Sequence, residues 1–428
     1  MFNRKIENNV FWRLLTGTAA NSVGKLWQLA IQLATIPILT YFWGVEGLGV
    51  WLMISTIPNY LAYSELGVGA AGVVEMTRLE TLEKKAEARI VFNTTWIFLT
   101  GMTALVGVLI ACGTAVWFLL AQDDDGAVFT ASEIAIAVFL TVLATLLSIQ
   151  MNIRRLVFQA THKFAIGVLT QDFLFMLTLA AMLVAVSLGA GLVAAASVQL
   201  LTRIVALLLY IRLQRRYEPE YTVSFKAFDK STLRRLLKPS MGAFALTLAN
   251  SFGLQGVVLT IGWTLGPAAA AVFASTRMLT RIPMQFSGLV TRASLPELTR
   301  AQVDENTVLT HRLMRLNVGL TLSVMAPALV ILILFGPQLL SLISHNEMDQ
   351  THLAFALLGL AATFCAIWTT LGTRLIAVNR QSEFAYLALV LYLACALIPI
   401  LSKETIIATL IALALADGVI AVKTWKAK

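Results

Sequence analysis

Residues 39–56, LTYFWGVEGLGVWLMIST, and residues 259–276, LTIGWTLGPAAAAVFAST, stand 220 positions apart and agree at five places. The matches are Leu39 with Leu259, Thr40 with Thr260, Trp43 with Trp263, Ser55 with Ser275 and Thr56 with Thr276. The same offset works again further along, where Arg154, Phe164, Ala165 and Leu169 fall on Arg374, Phe384, Ala385 and Leu389. An apolar chain inflates chance matches, so neither window weighs much alone. One offset that serves two distant windows reads as an internal duplication.

Working outward from the two windows, apolar runs recur along the whole chain. A helix that crosses a bilayer needs about 20 mostly apolar residues. Runs of that kind lie near 16–43, 47–72, 91–120, 133–158, 164–188 and 190–212, and again near 239–264, 267–294, 312–335, 351–373, 384–401 and 404–423. The expected architecture is therefore all-α, with about twelve transmembrane helices in two pseudo-symmetric six-helix bundles. Residues 1–213 form the first bundle, 214–238 a polar cytoplasmic linker and 239–428 the second bundle.

Composition agrees. The chain is 58% hydrophobic and 13% charged, against about 25% charged residues in a soluble domain. Charge this sparse does not cover a soluble surface, so lipid is the main solvent. Met1 to Arg13 is polar, with no short apolar stretch leading to a small-residue cleavage site, and the first apolar run reads as a retained span. The net charge of +9 reports loop orientation rather than a nucleic-acid partner. With the N-terminus inside, the inner loops collect Arg4, Lys5, Arg13, Arg78, Lys84, Lys85, Arg89, Arg154, Arg155, Lys163 and the run from Arg212 to Lys238. In the second half they collect Arg300, Arg312, Arg315, Arg374, Arg380, Lys423, Lys426 and Lys428, while the outer loops hold Lys403 and acidic stretches at Asp123–Asp125 and Glu347–Asp349. Both termini are expected in the cytoplasm. Each half then starts inside, so the repeats are parallel, a plan in which two halves usually rock around a midplane site. Two further loops are expected to be interfacial. Val73–Ile90 reads as an amphipathic helix with Glu80 and Lys84 at i,i+4, and Pro296–His311 is its counterpart.

Motifs for soluble chemistry are decoys here. Gly67-Val-Gly69-Ala-Ala-Gly72 spells GxGxxG but closes a transmembrane run, where the dinucleotide fingerprint needs a strand before it. Ser22-Val-Gly-Lys25 spells SxxK without its SDN and KTG partners. Cys112, Cys365 and Cys395 lie far apart in apolar runs and read as small hydrophobes. His345, Glu347, Asp349 and His352 share one outer loop and read as solvated. No metal site, cofactor or catalytic constellation is indicated, and no GxxxxGK[ST] suggests ATP.

The informative residues are charges inside apolar runs. Each costs about 2.5–3.5 kcal/mol on insertion scales, so it usually faces an internal cavity. Lys25 sits in the first span, roughly 10–15 Å in from the cytoplasmic end. Arg277 and Arg281 are four residues apart in the eighth span, hence on one face. At the repeat offset these three stand opposite Ala245, Ile57 and Leu61, so they are additions to a shared scaffold. Inward cations hold an anion at mid-membrane, with arginine offering the fork that suits phosphate. The alternative is structural, with Lys25 reaching the interface and the arginines pairing with internal carboxylates. Arg203 in the sixth span is expected to snorkel. Asp172, Glu65 and Asp417 are candidates for proton or cation coupling, or partners for the arginines. Pro58 and Pro283 are candidate kinks.

The stretch GVEGLGVWLMISTIPNYLAYSELGVGAAG within Thr40–Thr77, with Glu65-Leu66-Gly67, resembles the first two helices of Wzx-like polysaccharide and O-antigen flippases, relatives of MurJ and the MATE transporters in the MOP exporter superfamily. Arg154–Asp172 and its repeat at Arg374–Phe384 resemble the family's turns between helices 4 and 5 and between helices 10 and 11. AVFASTRMLTRIPMQFSGLVTRASLP, Ala271 to Pro296, resembles its eighth helix with a late proline. The likeness runs over nearly the whole chain as helix order and length. It implies a V-shaped pair of bundles around a cationic cavity in the bacterial inner membrane. It implies that undecaprenyl-diphosphate-linked oligosaccharide is moved from the cytoplasmic to the periplasmic leaflet, with Lys25, Arg277 and Arg281 as contacts to the diphosphate or to acidic sugars. Partners on that reading are the lipid-linked sugar, membrane lipids, and a polysaccharide polymerase and chain-length regulator. Coupling to an H+ or Na+ gradient stays open. A MATE-like cation-coupled drug antiporter is the competing expectation, and it favours an acidic cavity. A membrane-embedded transferase needs a large outer loop or clustered carboxylates, which the sequence lacks. A non-transporting scaffold is a further reading.

Overall fold

The computed structural model describes residues 29–57, 68–120, 128–161, 163–237, 241–303, 306–377, 380–401 and 406–427. Every regular element among them is helical. The helices are α1 (Leu29–Ile57), α2 (Val68–Thr81), α3 (Lys85–Leu120), α4 (Ala131–Ala160), α5 (Phe164–Ser187), α6 (Leu192–Tyr217) and α7 (Lys230–Leu237). They continue with α8 (Met241–Ser251), α9 (Val257–Leu265), α10 (Pro267–Val303), α11 (Thr307–Ile343), α12 (His352–Ala377), α13 (Ser382–Leu401) and α14 (Ile406–Lys426). A π-helical turn, Phe252–Gly256, joins α8 to α9.

Among the described residues, ten helices are long and apolar enough to cross a membrane. Two features account for the difference from twelve. α10 has the length, at 37 residues, but Arg277 and Arg281 dilute its apolar character. α1 holds the ends of two expected spans. Its hydrogen bonding runs through Leu29–Ile57, yet Gly44 takes φ +72°. A right-handed helix does not pass through that region, so the chain turns a corner there. The Trp43 and Trp51 rings lie 6.0 Å apart across it. A second corner, Gly266 at φ +91°, separates α9 from α10. Trp43 and Trp263 are partners at the repeat offset, and each precedes its corner. The two corners lie two positions apart in the repeat register, because Gly266 falls on Glu46 rather than on Gly44.

The chain divides into two compact units, Met1–Ile38 with Ile57–Met241, and Leu39–Thr56 with Gly242–Lys428. In the first, α4 packs on α2, α3, α5 and α6. A capping box starts α4, with Glu133 N–H donating to Thr130 Oγ1 at 3.3 Å and Thr130 N–H to Glu133 Oε2 at 3.0 Å. Small residues permit close approach, as usual between helices in lipid. A Cβ on Gly167 would lie 2.6 Å from Phe158 Cβ, and Tyr210 Oη donates to the Gly167 carbonyl at 3.0 Å. In the second unit α12 is central, packed on α10, α11 and α14, and α13 packs on α9, α14 and the π turn.

The stretch after α6 is an ordered strap on the first unit. Ser224 N–H donates to Asn93 Oδ1 at 2.6 Å, and Asp229 N–H to Thr94 Oγ1 at 3.0 Å. Tyr221 Oη donates to Glu80, and its ring stands edge-on to Phe92 at 5.7 Å. Glu220 pairs with Arg89 at 3.0 Å and Glu218 with Lys163 at 2.7 Å. Two expectations are corrected. Val73–Ile90 is not one interfacial helix. α2 ends at Thr81 in a left-handed turn at Glu83, φ +59°, and Lys84 N–H closes back on the Leu79 carbonyl at 2.9 Å, the six-to-one bond of a Schellman cap. That turn removes Lys84 from the face of Glu80, and it pairs with Glu87 at 3.1 Å instead. Pro296–His311 is no separate element either, because α10 continues to Val303 and α11 starts at Thr307, capped by Asn306 Oδ1 accepting from Leu309 N–H at 2.9 Å.

Asp229 starts α7. Its carboxylate accepts from Ser231 Oγ at 2.6 Å, Thr232 Oγ1 at 2.6 Å and Thr232 N–H at 2.8 Å. The Ser231 hydroxyl, then the Thr232 hydroxyl and backbone, hold this acid well below the usual carboxylate range. A lowered acid stabilises the fold above its ordinary value, about pH 4, and the contribution is lost as pH falls through the lowered value. Amide exchange of 230–237, corrected for intrinsic rate, should therefore rise on acidification below about pH 4. Asp229→Asn should abolish that rise, and an unchanged pH profile in the variant would remove Asp229 from the cap.

Candidate functional site

The polar core of the second unit is assembled from four helices and the π turn. Arg277 and Arg281 lie one turn apart on α10. A π turn leaves a carbonyl outside the regular ladder, and Arg277 Nη1 donates to the Leu254 carbonyl at 3.4 Å. The Arg277 guanidinium also lies 5.6 Å from the centre of the Phe273 ring. Arg277 is only 8% exposed. Arg281 Nη2 approaches Cys365 Sγ of α12 at 3.8 Å.

Asp417 of α14 is buried opposite them. Its Oδ1 accepts from Trp368 Nε1 at 2.8 Å and from Tyr392 Oη at 2.5 Å. Trp368 belongs to α12 and Tyr392 to α13, so three helices fix one carboxylate. The Tyr392 ring also faces Gly253 of the π turn, where a Cβ would come within 2.9 Å of it. Arg277, Arg281 and Asp417 line one cavity with Leu358, Ala361, Ala362 and Leu413. The cavity measures about 10 Å³, on the scale of a single water. Two cations and one carboxylate give its wall a net charge of +1. Such a wall, low in dielectric and one charge in excess, attracts an anion.

The structure thus brings together three of the six residues singled out in the sequence. Lys25 and Glu65 lie outside the described residues. Asp172 is half-buried on α5 in the first unit. Arg203 lies over the Phe175 ring at 4.0 Å. Among the cysteines, Cys112 is exposed on α3 while Cys365 and Cys395 are buried in the polar core's helices. Trp368 and Tyr392 escaped sequence reasoning. Their signal was position. In membrane helices these residues favour the interfaces, and both sit mid-helix here, where an N–H or O–H needs a partner.

Residues 14–302 match the family model described as polysaccharide biosynthesis protein, which is well over half of the chain. The chain belongs to the polysaccharide biosynthesis protein family. No curated protein sequence matches it. Among solved structures, the chain is similar to an inward-facing multidrug resistance MATE transporter of the MOP superfamily, with TM-score 0.71 and 14% identity over 93% of this chain and 92% of that one. A MOP superfamily transporter from Pyrococcus furiosus, described as having a binding pocket of reversed polarity, gives TM-score 0.66 and 16% identity over 96% and 94%. An outward-facing MATE transporter gives 0.63 and 16% over 96% and 93%. This member of the family therefore has the MOP transporter fold and is a multi-pass membrane protein. The compact units do not follow the expected bundle bounds, because Leu39–Thr56 of the expected first bundle goes with Gly242–Lys428.

Proposed function

We propose that this protein is a flippase that carries undecaprenyl-diphosphate-linked oligosaccharide from the cytoplasmic to the periplasmic leaflet of the bacterial inner membrane. The observation that carries the reading is the surplus of positive charge at Arg277 and Arg281, buried in an apolar bundle of a polysaccharide-biosynthesis family member. A lipid-linked sugar keeps its tail in the bilayer, so only the charged head needs a polar path. Arginine forks replace part of the water that the diphosphate gives up. The chemistry is transport without bond cleavage, so the protein is no enzyme on this reading. Lys25 is a further candidate contact, and Asp172, Glu65 and Asp417 remain candidates for coupling to an H+ or Na+ gradient. A polymerase and a chain-length regulator are the expected downstream partners.

Support for the orientation comes from the first unit. The strap pairs with Lys85 and Arg89 at the start of α3 and with Lys163 at the start of α5, while Arg154 near the end of α4 donates to Gln214 of α6, whose last turn carries Arg215 and Arg216. These basic ends share one side, as the cytoplasmic side of a membrane protein does. Both termini are placed there on the same reading.

The MATE neighbours keep the drug-antiporter reading in view, and an acidic cavity would favour it. The neighbour with a pocket of reversed polarity supports the idea that this scaffold serves other substrates too. The test is translocation in proteoliposomes. A fluorescent polyprenyl-diphosphate-linked sugar should become accessible in the opposite leaflet with protein present, while a cationic dye should not be exported. Dye export without lipid translocation would reverse the assignment.

A further inference from the structure

The carboxylate in the cationic cavity has a geometry that the proposed flippase reading alone does not require. Its Oδ1 is held by two donors from two other helices, Trp368 Nε1 at 2.8 Å and Tyr392 Oη at 2.5 Å. Both donors are neutral, so they position the charge without cancelling it. The arginines are held far more loosely. A guanidinium carries five N–H donors. Among the described residues, Arg277 reaches the Leu254 carbonyl at 3.4 Å, and Arg281 reaches the Cys365 thiol sulfur at 3.8 Å. All three charges face a space of about 10 Å³. That space has room for one water but not for a phosphate group.

We propose that Asp417 is a built-in counter-anion, which neutralises part of the Arg277–Arg281 charge and which a substrate phosphate must displace to gain the arginines. The inference rests on the reading of this cavity as the place where the substrate's phosphate is received. Two guanidinium groups one helical turn apart repel in an apolar bundle, and a fixed carboxylate reduces that repulsion when no substrate is present. A diphosphate brings more negative charge than Asp417 and accepts from both forks, so it wins the arginines on arrival. On release, Asp417 takes its place again, which favours departure. Coupling of this kind is reciprocal, since whatever weakens the hold of Asp417 on the arginines tightens the hold of the substrate. Trp368 and Tyr392 are positioning residues that keep the carboxylate within reach of the pair.

The test uses the full-length protein in detergent, titrated with inorganic diphosphate by calorimetry, and the same variants in proteoliposomes for lipid translocation. Asp417→Asn should bind diphosphate about tenfold tighter and translocate more slowly. A merely structural carboxylate would give weaker binding, and weaker or unchanged binding in Asp417→Asn overturns the proposal. Arg281→Gln should bind more weakly than wild type. The double variant Arg281→Gln with Asp417→Asn restores the net charge of the wall and should recover binding, even where Asp417→Asn alone does not fold well. Failure of that recovery also overturns the proposal. If Arg277→Ala and Arg281→Gln bind diphosphate like the wild type, the cavity is not the phosphate site. In that case the reading beneath the inference falls, and the inference falls with it.

Discussion

Arg277→Ala should abolish surface polysaccharide in cells that depend on this protein, while the variant remains in the membrane at the wild-type level. Arg277 contributes one of two cations to a wall whose net charge is +1, so its removal leaves Arg281 opposed by Asp417 and no charge in excess. A hydrogen bond to a charged group contributes about 1.5–3 kcal/mol, equivalent to about 10- to 150-fold in affinity. The loss of a fork that makes two such bonds takes substrate binding below any useful level. Arg277→Lys should retain part of the function. It keeps the charge, but an ammonium is a point donor and lacks the planar fork. It also gives up either the Leu254 carbonyl or the cavity, since one short head does not span both. The measurements are surface polysaccharide by immunoblot and protein in isolated membranes. Normal polysaccharide in the alanine variant would take Arg277 out of the mechanism.

Arg277 and Arg281 were legible in the sequence because charge inside an apolar run is costly and therefore conspicuous. The duplication was legible because one offset aligned two distant windows. Which of the three candidate acids meets the arginines was harder to see. Asp417 stands 140 residues from Arg277, and helical periodicity carries no information about which distant helix a face meets. Trp368 and Tyr392 lie in apolar stretches where an aromatic ring reads as packing, and only the donor on each ring hints otherwise. The π turn at Phe252–Gly256 had no composition that separates it from an ordinary helix. Local chain reversals misled in a different way. Glu80 and Lys84 have the right spacing for an ion pair, and a single left-handed residue at Glu83 cancels it. The span count is a different case. The break after Trp43 was read correctly and Gly44 at φ +72° makes the corner, but hydrogen bonding that runs through Leu29–Ile57 counts the two sides as one helix.

The same corner supports the second large effect. Gly49→Ala should prevent the second unit from folding stably. A Cβ on Gly49 would lie 1.8 Å from the Pro267 carbonyl oxygen, 2.3 Å from its carbon and 3.0 Å from Cα. These are backbone atoms at the start of α10, fixed by the corner at Gly266, so no rotamer change relieves the clash. The segment Leu39–Thr56 and α10 belong to one compact unit, and they would have to move apart along their contact. Overpacking costs typically about 1–3 kcal/mol even where side chains can give way, and here the cost should exceed about 3 kcal/mol because backbone must move. Gly113→Ala on α3 is the matched control, since nothing lies within 4 Å of its Cβ position. In a helix interior that change stabilises by about 0.5–1 kcal/mol. The fraction of monodisperse protein after heating in detergent should collapse for Gly49→Ala and stay level or rise for Gly113→Ala. Equal melting of Gly49→Ala and wild type would mean that the two corners do not touch in the folded protein. α10, which carries both arginines, would then lack the contact that sets its start, and the placement of the cationic wall would have to be rebuilt from α12 and α14 alone.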